Sequence, residues 1–155
     1  MDFRIIGLSP DLFRPLYGLS DAELAARGVE RVRVDQPHAA PCRIGLDDIP
    51  PGGWALLLNH EHQPADTPYR SRHAIFVEEG AETAFDRVGE IPPALRRRTL
   101  SLRAFDAAHR MIDADLIEGA QAERLLLPML TRPDTAYVQI HYARRGCYAA
   151  RTERV

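Results

Sequence analysis

The chain has 155 residues, of which 45% are hydrophobic and 27% are charged, and a formal net charge of −2. This size and composition predict a single domain over residues 1–155 and exclude an intrinsically disordered chain. The near balance of 22 acidic and 20 basic residues argues against a nucleic-acid partner. Without a signal-peptide pattern or a long apolar run, we expect no membrane partner and a cytoplasmic protein with free cysteines. The sequence does not indicate the oligomeric state.

From its start to residue 78, the sequence predicts short strands, turns and two helices. In chain order, these are a strand at 3–8, helices at 9–16 and 21–27, and strands at 29–34, 42–46, 54–61 and 73–78. The second helix has the clearest signal, because Ser20 and Glu23 have capping-box spacing and Gly28 suits a helix end. The sequence between residues 46 and 54 is rich in proline and glycine, which predicts a turn between two strands.

The remainder of the chain continues in the same pattern. In chain order, it predicts a helix at 92–100, strands at 101–105 and 111–117, an amphipathic helix at 121–130 and a strand at 136–142. The order predicts an α+β fold with a central, largely antiparallel or mixed sheet and a few short helices packed on it. The run Arg96–Arg98 is interpreted as a solvated helix face. Neither glycine-rich nucleotide-binding fingerprint is present, and no cofactor is indicated.

Several stretches of the sequence together resemble one bacterial family. They are LSDAELAARGVERV, PCRIGLDD, LLLNHEHQPADTPYRSRHAIFV, LSLRAFDA and GCYAAR. Over nearly its whole length the chain resembles the domain-of-unknown-function 1203 family, which implies a small bacterial protein without an established activity. Positions that match the family pattern include Cys42, His62, Tyr69, His73, His141 and Cys147. His60 departs from it, since similar sequences carry tyrosine there.

A metal site is the first chemical hypothesis. His60 and His62 are two residues apart on a predicted strand, so both rings would face the same side. His73 or His141 could supply a third nitrogen. The alternative is that His60 is a half-exposed strand residue, and we favour it because the family pattern does not require a histidine there. We therefore predict no metal site and little zinc in the purified protein.

A nucleophilic thiol is the second hypothesis. Cys147 follows Arg144 and Arg145, and an electropositive turn increases the thiolate fraction of a cysteine. Paired with His141 or His73, this thiol would act as the nucleophile of a hydrolase or transferase. The alternative is a buried, unreactive cysteine, since no local signature of a known cysteine hydrolase is present.

A polar pocket is the third hypothesis and our preferred one. All 20 basic residues are arginines, whose guanidinium groups bind carboxylate and phosphate in a bidentate fork. We predict a pocket that binds a small anionic molecule and that contains at least two of the three histidines His62, His73 and His141 together with an arginine. The predicted lining is His62, Tyr69, His73, His141 and Arg151, with Arg70 and Arg72 in the adjoining loop. A second arginine cluster is predicted from Arg144, Arg145 and Arg151. The alternatives are arginines paired with nearby acids, or a structural or protein-interaction module.

Overall fold

The computed structural model describes all 155 residues and contains nine strands and three short α-helices. The strands are β1 (Phe3–Ile6), β2 (Glu30–Arg33), β3 (Trp54–Gln63), β4 (Ser71–Glu78), β5 (Asp86–Val88), β6 (Thr99–Phe105), β7 (Met111–Glu118), β8 (Tyr137–Tyr142) and β9 (Tyr148–Arg154). The helices are α1 (Asp21–Ala26), α2 (Pro93–Arg96) and α3 (Glu123–Thr131), with 3-10 turns at Pro10–Leu12, Arg14–Leu16 and Gly119–Gln121. The predicted α+β class is confirmed.

The strands form two antiparallel sheets. The large sheet has six strands in the order β5-β1-β9-β8-β6-β7, and the small sheet has three in the order β2-β3-β4. Every pairing between these strands is antiparallel. The predicted sheet type is therefore confirmed, and β9 lies inside the large sheet rather than at its edge. A bilayer-crossing helix is absent, since the longest helix, α3, spans nine residues.

Each sheet has its own hydrophobic core. In the large sheet, Leu102 and Ile140 are buried in one cluster with Leu126 and Leu130 of α3. The spacing of these α3 residues, four apart, places both on one face of the helix, which is the face that packs on the sheet. In the small sheet, the buried residues of β3 and β4 cluster with Leu24 of α1.

Residues 39–48, which we call the 39–48 segment, connect the two sheets. Backbone bonds join Arg43 N–H to Phe76 O of β4 at 3.1 Å and Leu8 N–H to Arg43 O at 2.8 Å. Gly7 is required beside this segment, because a Cβ there would overlap the carbonyl oxygen of Ile44. The segment is therefore fixed between the sheets by its backbone.

One predicted strand was wrong and one strand was missed. Residues 42–46 form a turn rather than a strand, with Leu46 N–H donating to Cys42 O at 3.1 Å and a φ of 55° at Leu46. This turn makes only isolated bridges to its neighbours. Conversely, residues 148–154 form β9, a strand that the sequence did not indicate. The predicted helix at 92–100 ends early, because β6 begins at Thr99.

The capping of α1 was predicted correctly, and its energetic contribution can be measured. Ser20 Oγ accepts a hydrogen bond from Glu23 N–H at 3.1 Å, and its hydroxyl donates to Glu23 Oε1 at 3.1 Å. We expect Ser20→Ala to lower the free energy of unfolding by about 0.5–2 kcal/mol, as measured by urea denaturation. Thr83→Ala, at an exposed threonine that forms no side-chain hydrogen bond, is the control. Equal denaturation midpoints for the two variants would contradict the capping role.

Candidate functional site

A cavity of about 570 Å³ lies where the 39–48 segment, the end of α2 and the turn between β8 and β9 meet. Five of its 13 lining residues are arginines, and Glu118 is the only acidic one. The arginines are Arg43, Arg97, Arg98, Arg144 and Arg145. We call this site the arginine cavity. His38, Tyr142 and Cys147 also line it.

Arg43 is the buried cation of the arginine cavity, with a side chain that is only 1% exposed. Its Nε donates to Tyr148 O at 2.8 Å, and its Nη1 donates to Pro41 O at 2.6 Å. Its Nη2 donates to Cys147 Sγ at 3.0 Å. Burial lowers the pKa of Arg43, because the charged form is costly away from water. No carboxylate forms an ion pair with this guanidinium, so its charge is not neutralised by another side chain.

The Tyr142 ring contacts two guanidinium groups. Its ring centre is 4.9 Å from Arg43 Cζ and 5.2 Å from Arg98 Cζ, both within the range of cation–π attraction. Burial raises the pKa of Tyr142 to about 12, so its hydroxyl is protonated at neutral pH. That hydroxyl is buried and has no hydrogen-bond partner. A lining residue of the arginine cavity therefore carries a hydrogen-bond donor without a protein partner.

One carboxylate holds two of the cavity arginines in place. Asp48 Oδ1 is 2.6 Å from Arg98 Nη2, and Asp48 Oδ2 is 3.0 Å from Arg97 Nη1. The same carboxylate contacts His38 Nδ1 at 3.2 Å. Burial tends to raise the pKa of Asp48, but the hydrogen bonds and charge of Arg98 outweigh it and lower this pKa. Asp48 is therefore ionised at neutral pH and fixes the two arginines.

Arg144 and Arg145 are exposed and form no ion pair or side-chain hydrogen bond in the structure. They lie on the turn between β8 and β9, which is possible because Gly146 adopts a φ of 78°. Gly146 N–H closes the turn by donating to Tyr142 O at 2.8 Å. The cavity lining and the adjoining Asp48 together contain five arginines but only two carboxylates, those of Glu118 and Asp48. The net charge of this group is therefore positive.

A second, smaller pocket of about 280 Å³ lies between the end of β3 and the strands β8 and β9. We call it the histidine pocket, and His62, His109, Tyr137, Gln139 and Arg151 line it. The Tyr137 hydroxyl is bonded to both His109 Nδ1 and Gln63 Nε2, each at 2.8 Å. Arg151 stacks on the Tyr137 ring at 3.9 Å and donates from Nε to Glu153.

A buried histidine lies behind the histidine pocket. His141 Nδ1 donates to Gly146 O at 3.0 Å, and His141 Nε2 faces Gln139 Oε1 at 2.9 Å. The same amide oxygen faces His62 Nδ1 at 3.2 Å. Both nitrogens of His141 thus face oxygens, which would suit a protonated ring. Burial and the nearby Arg103 nevertheless lower the pKa of His141 to about 3, so the ring is neutral at pH 7.

A protein-family model described as Protein of unknown function (DUF1203) matches residues 39–154. The chain belongs to this family. The matched range contains the whole histidine pocket and every lining residue of the arginine cavity except His38. No curated protein and no solved structure matches the chain.

In this DUF1203 chain, some of the predicted site residues lie together. The rings of His62 and His141 are 4.9 Å apart in an edge-on arrangement. His62 shares its pocket with Arg151. His73 lies on β4 opposite His60 and contacts Ala74 O through Nδ1 at 2.9 Å. Two histidines and one arginine are therefore close to each other, while the third histidine is bonded to backbone.

Other predicted binding residues of the DUF1203 chain lie apart from this pocket. Arg70 pairs with Glu61 at 3.2 Å, and Arg72 donates to Asn59. Tyr69 packs edge-on against Phe105, with ring centres 6.3 Å apart. The predicted lining residues therefore do not form one pocket, because Arg70 and Arg72 are bonded to residues of β3.

The predicted pairing of Cys147 with a histidine is absent. The only side chain that hydrogen bonds Cys147 Sγ is Arg43, whereas the ring nitrogens of His141 face Gly146 O and Gln139. His73 faces the backbone of its own strand. No group of three or more His, Cys, Asp and Glu side chains is arranged to hold a metal ion.

Sequence reasoning missed Arg43, Tyr142 and His38 as cavity residues. Arg43 belongs to the string PCRIGLDD, which carried part of the family resemblance, but it was assigned to a strand in which its side chain had no special role. Nothing local in the sequence indicated that the three residues meet. They are brought together by the turn of the 39–48 segment and by β8.

Proposed function

We propose that this protein binds a small anionic molecule, with a carboxylate or phosphate group, in the arginine cavity. The observation that carries the proposal is Arg43, a guanidinium that is 1% exposed and has no carboxylate partner. A buried charge is costly unless it is paired. A bound anion would supply the missing negative charge.

The donors around the cavity support this proposal. A guanidinium has five N–H groups, and Arg43 uses three of them on Tyr148 O, Pro41 O and Cys147 Sγ. The buried Tyr142 hydroxyl has no partner, and Tyr142 is a lining residue of the same cavity. Arg144 and Arg145 are unpaired and suit bidentate contacts to an oxyanion.

The histidine pocket supports anion binding less well. Its guanidinium, on Arg151, already donates to Glu153 at 2.7 Å. Its tyrosine hydroxyl and its Gln139 amide are bonded to protein groups. An anion would therefore meet fewer free hydrogen-bond donors there than in the arginine cavity, even though His62 and Arg151 of the predicted lining are part of the histidine pocket.

The proposal predicts a loss of affinity when both unpaired arginines are neutralised. We expect the double variant Arg144→Gln and Arg145→Gln to bind inorganic phosphate or succinate at least about tenfold more weakly, because hydrogen bonds to charged groups contribute roughly 1.5–3 kcal/mol each. The measurement is isothermal titration calorimetry at low salt, where screening is weak.

The matched control removes two arginines elsewhere. Arg70→Gln with Arg72→Gln changes the net charge equally, but those side chains contact Glu61 and Asn59 outside the cavity. We expect this control to retain the affinity of the parent protein. Equal losses in both double variants would indicate a general charge effect, and no binding of either anion by the parent protein would contradict the proposed function.

A further inference from the structure

We propose that Cys147 is a reactive thiol of the arginine cavity and exchanges with small anionic disulfides. This inference rests on the proposed function, because anion binding would bring the reagent to the sulfur. It assigns a modification site whose activating partner is an arginine rather than a histidine.

The contact between Cys147 and Arg43 is the first observation. Sγ accepts a hydrogen bond from Arg43 Nη2 at 3.0 Å, and the other two bonds of that guanidinium go to uncharged carbonyl groups. A thiolate at this position would neutralise the buried cation, and the thiolate is the nucleophilic form of cysteine. Cys147 is 6% exposed and is one of the lining residues of the cavity.

Tyr142 is the second observation, and it is independent of the sulfur. It is 5% exposed, lines the same cavity, and its buried hydroxyl has no hydrogen-bond partner. An unpaired buried donor costs free energy, and the carboxylate of a bound reagent would satisfy it. The cavity thus offers an oxyanion site and a sulfur among the same lining residues.

The reaction is thiol–disulfide exchange. The Cys147 thiolate attacks one sulfur of the disulfide, a new S–S bond forms, and the S–S bond of the reagent breaks. The second half of the reagent leaves as a thiolate with the electron pair of that bond. With dithiodiglycolate, the products are a mercaptoacetate adduct on Cys147 and free mercaptoacetate. No further oxidant or reductant is required.

Cys42 provides an internal control. It is similarly buried, at 3% exposed, but its Sγ accepts hydrogen bonds only from the backbone N–H groups of Ile44 and Glu78, at 3.4 and 3.2 Å. It does not line the arginine cavity. A difference between the two thiols would therefore reflect the arginine surroundings rather than burial alone.

The experiment compares two small disulfides of opposite charge, the dianion dithiodiglycolate and the dication cystamine. The adducts on Cys147 and Cys42 are followed in the folded protein by peptide mass mapping. Each rate is divided by the rate at the same thiol in the urea-unfolded chain, which removes the intrinsic reactivity of the reagent. We expect the normalised rate at Cys147 to be at least about tenfold higher for the dianion, as charged sites concentrate opposite charges by this order.

Two variants complete the test. Neutralising Arg144 and Arg145 to glutamine should reduce the preference for the dianion to less than about threefold. Cys147→Ser should abolish the adduct. Phosphate binding together with an unreactive Cys147, or with equal normalised rates for both reagents, would overturn this inference alone. Failure of the parent protein to bind phosphate would instead overturn the proposed function.

Discussion

Lowering the pH from about 7 to about 5 should reduce the free energy of unfolding by roughly 2 kcal/mol through His141 alone, because one pKa unit corresponds to about 1.4 kcal/mol. His141 is 0% exposed, and burial is the main cause that lowers its pKa from 6.5 to about 3. Arg103, His62 and His73 add repulsion in the same direction. The measurement is urea denaturation at a series of pH values.

The sign of this effect follows from the two pKa values. Below pH 6.5 the unfolded chain binds a proton at His141, whereas the folded protein binds it only near pH 3. The contribution of His141 to stability is therefore complete above pH 6.5 and is lost as the pH falls towards 3. Burial lowers the pKa of His60 and His62 as well, so these residues add to the same trend.

His141→Gln is the matched variant, because glutamine keeps hydrogen-bonding groups but does not titrate. We expect the stability of this variant to decline much less between about pH 7 and pH 5. The change of stability with pH is the decisive quantity, since the substitution itself also alters packing. If the parent protein and the variant showed the same pH dependence, His141 would not be the neutral buried group that the structure indicates.

Replacing Arg43 with methionine should also have a large effect. The substitution keeps an unbranched side chain but removes all three hydrogen bonds, leaving Pro41 O and Tyr148 O without these donors. Each buried acceptor without a partner costs about 1–3 kcal/mol, so we expect the free energy of unfolding to fall by roughly 2–4 kcal/mol. Phosphate affinity should fall in parallel, because the buried cation of the cavity is lost.

Arg103→Met is the control for Arg43→Met. Arg103 is partly buried, whereas Arg43 is fully buried, and the only hydrogen bond of Arg103 is from Nε to Ser101 Oγ at 3.2 Å. We expect this control to be considerably less destabilising and to leave phosphate binding intact. An unchanged or higher stability of Arg43→Met would show that the desolvation of the buried charge costs more than its hydrogen bonds contribute, as happens for some buried ion pairs.

Much of the fold was predictable from the sequence, because apolar alternation and capping signals are local. The prediction of a strand at 42–46 was wrong, because these residues do not pack on one sheet. Cys42 and Ile44 belong to the core of the small sheet, and Leu46 belongs to the core of the large sheet. These apolar residues alternate in the sequence as they would in a strand, but Arg43 between them is buried as well, and the segment is a turn between two cores. The strand β9 was missed for the opposite reason. Its first three residues, Tyr148–Ala150, are all buried, so they show no alternation.

The candidate site was less predictable, because it depends on contacts between distant parts of the chain. Arg144, Arg145 and Arg151 were predicted as one cluster from their proximity in sequence. The turn at Gly146 and the strand β9 separate them, so Arg151 lines the histidine pocket while the other two line the arginine cavity. Arg97 and Arg98 were interpreted as a solvated helix face. In the structure both pair with Asp48 and line the arginine cavity.

The place of β9 in the large sheet also determines the order in which the protein can assemble. β1 pairs with β9 through Phe3–Arg154 and Ile6–Arg151, so its main neighbour is synthesised almost a full chain length later. During synthesis on the ribosome, β1 can therefore pair only with β5 until β9 has been made. Such long-range pairing slows folding. Because the turn that carries Arg144 and Arg145 leads directly into β9, the arginine cavity is completed in the same late step that closes the sheet.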